Sequence, residues 1–118
     1  MAYHSFEDLE VWKRACRLAV EVYRQFGRCR DYGFKDQVTR SAVSIASNIA
    51  EGAERTSKAD FNRFLNIAKG SAAELRTQIY IAQSIELLEP HQAKQIADEL
   101  KQISAMLQGL AKSLNTEH

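Results

Sequence analysis

The sequence predicts an all-α fold, an antiparallel up-and-down four-helix bundle built as one domain over residues 1–118. Three observations predict it. Apolar residues recur at three- and four-residue steps in four separate stretches, the period of a helix with one buried face. The chain has one proline, Pro90, and five glycines among 118 residues, too few for an architecture of many short strands and turns. Val, Ile and Thr nowhere alternate with polar residues for long, as half-buried strands require. A hydrophobic content of 45% and a charged content of 26% fit a packed domain rather than a disordered chain. A chain of this length can bury a core without disulfides.

The first helix is expected from "SFEDLE", with Ser5 as its cap and Asp8 three residues on as a capping-box-like acid. Glu7 and Asp8 also suit the positive end of a helix dipole. Leu9, Trp12, Cys16, Ala19, Val20, Tyr23 and Phe26 form the expected core stripe, Gly27 stops the helix, and "GRCRDYGF" connects it to the next. The second helix is expected from about Lys35 to about Ala53, on the stripe Val38, Ala42, Ile45, Ile49 and Ala53. Gly52 and the polar run "ERTS" end it. Ser57 caps the third helix, with Asp60 repeating the acid pattern. Its stripe is Phe61, Phe64, Leu65, Ala68, Ala72, Leu75, Ile79 and Ala82, and the helix is expected to reach Leu88, a length of about 45 Å. Pro90 suits the first turn of the fourth helix, whose seam is Ala93, Ile96, Leu100, Ile103, Leu107, Leu110 and Leu114. The tail "NTEH" is expected to fray.

Two helices carry more apolar surface than one bundle stripe needs. On the third, Ile67, Ile81 and Ile85 fall away from the core stripe, on the flank of Ser71, Glu74 and Gln78. On the first, Val11, Leu18 and Val22 widen the Trp12–Cys16–Tyr23 stripe. These are either the wide faces of a crowded bundle or surfaces buried between copies of the chain. The second helix adds a stripe of small and polar residues: Gln37, Ser41, Ser44, Asn48 and Glu51. Solvated faces favour Lys and Glu over Ser and Asn, which are poorer helix formers. The stripe therefore reads as an assembly seam, close-packing and hydrogen-bonding, with Glu74 and Gln78 or Arg40 as candidate partners. A solvated face is the alternative.

Few chemistries are written in this sequence. His4, His91 and His118 are scattered, and no Cys or His pair has metal-ligand spacing. No phosphate loop, dinucleotide fingerprint or nucleophile elbow is present; no catalytic residue, cofactor, metal or small-molecule substrate is expected. Cys16 and Cys29 read as reduced thiols of a cytoplasmic protein. "MAYHSFEDLEVW" lacks the pattern of a signal peptide, and no apolar run approaches the ~18 residues of a membrane span. Net charge is only +1, but it is unevenly placed. Lys13, Arg14, Arg17, Arg24, Arg28 and Arg30 oppose Glu21 alone, and Lys13, Arg17, Arg24 and Arg28 share one face. A looser group holds Arg55, Lys58, Arg63, Lys69 and Arg76. Such strips can follow a phosphate backbone, or they can be solvated faces with Glu10 and Glu21 pairing along the helix.

The segment "QVTRSAVSIASNIAEGAERTSKADFNRFLNIAKGSAAELRTQIYIA" resembles a known family. Arg40, Ser41, Ser44, Ile45, Asn48, Ile49, Glu51, Gly52, Arg55, Phe64, Leu65, Ala68, Gly70, Ser71, Glu74 and Leu75 carry the resemblance, and the opening "FEDLEVWKRACRLAVEVY" fits as well. The family is that of the four-helix-bundle proteins named after 23S rRNA intervening sequences, in which some bacterial members are encoded. The resemblance implies a bundle that assembles into a homopentameric ring, with a largely unassigned role. A related branch, the accessory variability proteins of diversity-generating retroelements, is strongly basic and binds a reverse transcriptase and nucleic acid; at +1 this chain lacks that balance. Three functions are left open. The first is non-enzymatic binding of RNA or DNA by basic strips of an assembled ring. The second is a protein-interaction scaffold. The third is an enzyme whose pocket would be assembled between subunits from Glu51, Asn48, Arg55 and Glu74.

Overall fold

The computed structural model describes residues 5–116 and forms a four-helix bundle, with no strand among the described residues. His4, His118 and the last residues of the "NTEH" tail lie outside them. The helices are α1 (Glu10–Gln25), α2 (Tyr32–Ala53), α3 (Lys58–Ser84) and α4 (Pro90–Thr116). Together they make a body of 49 × 19 × 19 Å.

The start of the chain differs from expectation. Ser5 caps a short 3-10 turn, Phe6–Asp8, its Oγ accepting from Glu7 N at 3.1 Å. That turn brings the Phe6 ring edge-on to Trp12, with centroids 5.1 Å apart. Helix α1 begins after it, with no side-chain cap at Leu9.

The core stripe of α1 is also corrected. Val11, Ala15, Leu18, Val22 and Phe26 are buried. Trp12, Cys16 and Ala19 are half-buried, while Val20 and Tyr23 are 49% and 52% exposed. Both stripes have helical spacing, so periodicity alone cannot choose between them. At about 100° per residue, the strip of Lys13, Arg17 and Arg24 lies opposite the Val11–Val22 stripe. Keeping those charges in water turns that stripe inward.

Helix α2 starts three residues before its expected boundary. Asp31 caps it, accepting from Phe34 N at 3.1 Å. Val38, Ala42, Ile45 and Ile49 are buried as expected; Ala53 is half-buried. Gly52 does not end the helix. It lies within α2, buried, where a Cβ would stand 2.6 Å from Phe64 Cβ and 3.1 Å from Phe61 Cδ1. Only glycine lets the end of α2 sit this close to the start of α3.

Ser57 caps α3, accepting from Asp60 N at 3.1 Å. The expected stripe from Phe61 to Ala82 is buried throughout. The helix stops at Ser84, short of Leu88, so it spans about 40 Å. Glu86 takes φ 65°, and Leu87 N reaches back to Ala82 O at 2.8 Å. This left-handed closure frees the chain to turn and bury Leu88. On α4, Pro90 opens the helix, and Ala93, Ile96, Leu100, Ile103 and Leu107 are buried. Leu110 and Leu114 pack half-buried against them.

Two predictions follow from these backbone constraints. Gly52→Ala is expected to lose about 1–3 kcal/mol by overpacking Phe61 and Phe64, read as a lower midpoint in guanidinium unfolding; an unchanged midpoint would show that the helices can part at no cost. Glu86→Gly relieves a left-handed residue, which costs roughly 1–2 kcal/mol, against a glycine entropy loss of about 0.5–1 kcal/mol. Tm should rise by a few degrees, and a fall would refute the strain.

Candidate functional site

The outward side of α1 is built by the same periodicity that buries Val11, Leu18 and Val22. Lys13, Arg17 and Arg24 are exposed along it, with Val20 and Tyr23 beside them. Arg28 is not on the helix; it lies in the connection to α2, exposed like Arg30. The acids nearby have partners. Glu21 accepts from Gln25 Nε2 at 2.7 Å, and Glu10 approaches Arg17 at 3.4 Å. The Arg17 and Glu10 side chains are 65% and 61% exposed, so water weakens that pair and leaves Arg17 able to exchange partners.

Arg14 is placed apart from this strip. Its Nε donates to Glu99 Oε2 at 2.8 Å and its Nη2 to Glu99 Oε1 at 2.5 Å, a two-pronged pair. Gln102 Oε1 accepts a third bond at 2.5 Å. The Glu99 bond holds the guanidinium above its ordinary pKa, against the opposing effect of burial. Arg14 therefore clasps α1 to α4. Its partner lies 85 residues along the chain, beyond the reach of any local pattern.

Arg55, Lys58 and Arg63 gather where α2 passes to α3. The guanidiniums of Arg55 and Arg63 lie 4.8 and 4.6 Å from the centroid of the Phe64 ring. Arg55 also pairs with Glu51 at 3.6 Å, and Arg63 with Asp60 at 3.8 Å. Phe64 is buried and both arginine side chains are partly exposed. Cation–π contact thus fixes two charges that still face water.

The polar stripe of α2 meets α3 of the same chain. Ser44 Oγ and Ser71 Oγ are 2.9 Å apart. Asn48 Nδ2 donates to Ser44 O at 2.8 Å and to Ser44 Oγ at 3.0 Å. Ser41 of α2 and Gln78 of α3 are buried as well, and Gln78 Oε1 has no partner among the described residues. The other expected partners stand aside. Arg40 is exposed and paired with Asp36 at 2.9 Å, Gln37 and Glu74 are exposed, and Glu51 belongs to Arg55. Gln37, Arg40, Ser41, Ser44 and Glu74 line an open depression of about 290 Å³. Glu51 and Arg55 line a different one, with Phe6, Ala50 and Glu54. Within one subunit, the four residues of the enzyme reading line no common pocket.

An apolar groove runs between α1 and α2. Trp12, Cys16, Ala19, Val43, Ala46, Ser47 and Ala50 line about 350 Å³ of it. Burial there raises the Cys16 thiol pKa, which disfavours the reactive thiolate. Both cysteines are free. Among the described residues no three His, Cys, Asp or Glu side chains gather as a metal site, and no helix is long and apolar enough to cross a membrane. Sequence reasoning missed two exposed aromatics near the basic strip, Tyr23 and Tyr32, the latter 73% exposed. Tyr23 has the spacing of the expected core stripe, and Tyr32 falls in the expected connection "GRCRDYGF".

Comparison with known proteins agrees with this architecture. The model of the family described as 23S rRNA-intervening sequence protein matches residues 7–109. A crystal structure of a protein of unknown function from the S23 ribosomal protein family of Bacteroides thetaiotaomicron is similar, with a TM-score of 0.81 and 26% identity. The similarity covers 86% of this chain and 98% of that one. No curated protein matches. With the match spanning most of α1 through α4, the chain belongs to the 23S rRNA-intervening sequence protein family.

Proposed function

We propose that this protein works by binding rather than catalysis: an assembly of helical bundles that holds RNA or DNA through the α1 strip. The observation that carries this reading is the state of the charges. Lys13, Arg17 and Arg24 are exposed on one side of α1, and Arg28 and Arg30 are exposed in the connection that follows, against the single acid Glu21. Arg55, Lys58 and Arg63 supply a second basic cluster; Arg14, clasped to Glu99, does not contribute. A near-neutral protein can still bind a polyanion when its cations are grouped on one part of its surface.

Consecutive helices run up and down in this reading. Asn62 lies against Asn115 and Lys69 against Gln108, so residue numbers rise along α3 as they fall along α4. The subunits close as a homopentameric ring, as the family resemblance implies, and work in the cytoplasm. The uncovered groove between α1 and α2, and the exposed Ile67, Ile81 and Ile85 of α3, offer the surface for it. A ring repeats each basic strip and gains avidity. The same apolar surfaces favour a second reading, a protein-interaction scaffold with no nucleic-acid role.

Two measurements test these readings. Affinity for RNA should fall steeply with salt, log K dropping by about 0.7–0.9 per log unit of salt for each phosphate neutralised. Arg17→Glu with Arg24→Glu should abolish it without changing assembly mass; binding indifferent to both would defeat the reading. The mass of the purified protein should exceed the monomer's 13.4 kDa severalfold and persist after nuclease treatment. A monomer at micromolar concentration would remove the ring.

A further inference from the structure

We infer that the α1 strip takes single-stranded nucleic acid, with unpaired bases stacked on Tyr23 and Tyr32. This rests on the nucleic-acid reading and narrows it. Tyr32 is the most exposed large hydrophobic residue among the described ones, at 73%, and Tyr23 is 52% exposed. Neither hydroxyl bonds to another described residue. Tyr23 adjoins Arg24 on the outward side of α1, and Tyr32 opens α2 directly after the connection that carries Arg28 and Arg30. Two uncovered rings thus stand beside Arg24, Arg28 and Arg30 along the chain.

The end of the bundle that holds them is pre-formed. Phe26 is fully buried and packs on Phe34 with centroids 6.2 Å apart. Cys29 N donates to Phe26 O at 3.1 Å, Lys35 Nζ to Gly27 O at 3.4 Å, and Asp31 caps α2. The connection is therefore anchored at both ends, and binding need not order it.

Phosphate attraction alone would need no aromatic residues. A duplex hides its base faces within its own stack, whereas single strands expose them to aromatic rings and guanidinium planes. Rings beside arginines fit the second ligand. The two acids near this region, Asp31 as the α2 cap and Glu21 bonded to Gln25, keep their charges but are outnumbered by Arg24, Arg28 and Arg30.

The test uses the whole protein and three fluorescein-labelled probes of equal length: an unstructured RNA strand, its duplex, and an abasic strand that keeps the phosphates but lacks bases. Fluorescence anisotropy gives Kd and its salt slope for each. The RNA strand should bind on the order of tenfold tighter than the abasic strand for each stacked base. Tyr23→Ser and Tyr32→Ser should each remove about one tenfold step of that advantage, and together all of it, while leaving abasic affinity and the salt slope unchanged. Arg24→Glu should weaken both strands and flatten the slope. Equal, salt-dependent binding of RNA and abasic strands would overturn stacking and leave the nucleic-acid reading standing, as would preference for the duplex. Failure of every probe to bind would sink both. A changed assembly mass in the tyrosine variants, with strand discrimination intact, would show the rings to be subunit contacts and also overturn the inference.

Discussion

The close approach of α2 to α3 is the constraint on which the rest of this bundle depends. It is made by subtraction. Gly52 leaves room for Phe61 and Phe64, and Ala68 and Ala72 of α3 are buried. Small side chains bring helix backbones near, but they bury little apolar surface per residue. Ile45, Ile49, Leu65, Leu75 and Ile79, all fully buried, supply the area that the small residues lack. The hydroxyls of Ser44 and Ser71 satisfy each other at 2.9 Å, so the polar atoms admitted by the small residues do not weigh against folding. Phe64, seated on Gly52, then holds Arg55 and Arg63 over its ring. One packing decision thus fixes a helix junction and the placement of two surface charges.

The same distinction separates what could be read in the sequence from what could not. Helix number and the core stripes of α2, α3 and α4 were legible, because a 3.6-residue period needs only local spacing. Ser57 and Pro90 were legible as helix starts because capping and first-turn chemistry is local too. The core stripe of α1 was not, since two apolar stripes shared the period and the choice lay with the neighbouring helices. The charges decide it: Lys13, Arg17 and Arg24 must stay in water, and the buried stripe is their opposite. Gly52 looked like punctuation because glycine usually is; its role appears only beside Phe61 and Phe64, across the turn. The candidate site was half legible. The basic residues could be grouped by angle, but the removal of Arg14 by Glu99 and the uncovering of Tyr32 depend on three-dimensional neighbours.

Charge is spent in this molecule in two different ways. Arg14, with Glu99 and Gln102, turns a guanidinium fork into a fastening between α1 and α4, and a planar, bidentate geometry is what lysine could not supply there. Arg17 and Arg24, three and ten residues further on, remain in solvent. Neighbouring arginines on one helix therefore differ in role by the angle at which they leave the backbone.

The Ser44–Ser71 contact has a mechanical consequence. The two hydroxyls meet at one register only. Sliding α2 along α3 by one turn, about 5.4 Å, would set Ser44 against Ile67 or Leu75 and leave a hydroxyl without its match. Gly52 against Phe64 would lose its fit in the same movement. Two such detents, eight residues apart on α2, give the pair a single seating, like a key with two cuts. Strain on the bundle must then be taken up by bending or by loosening the outer helices, while α2 and α3 move as one beam.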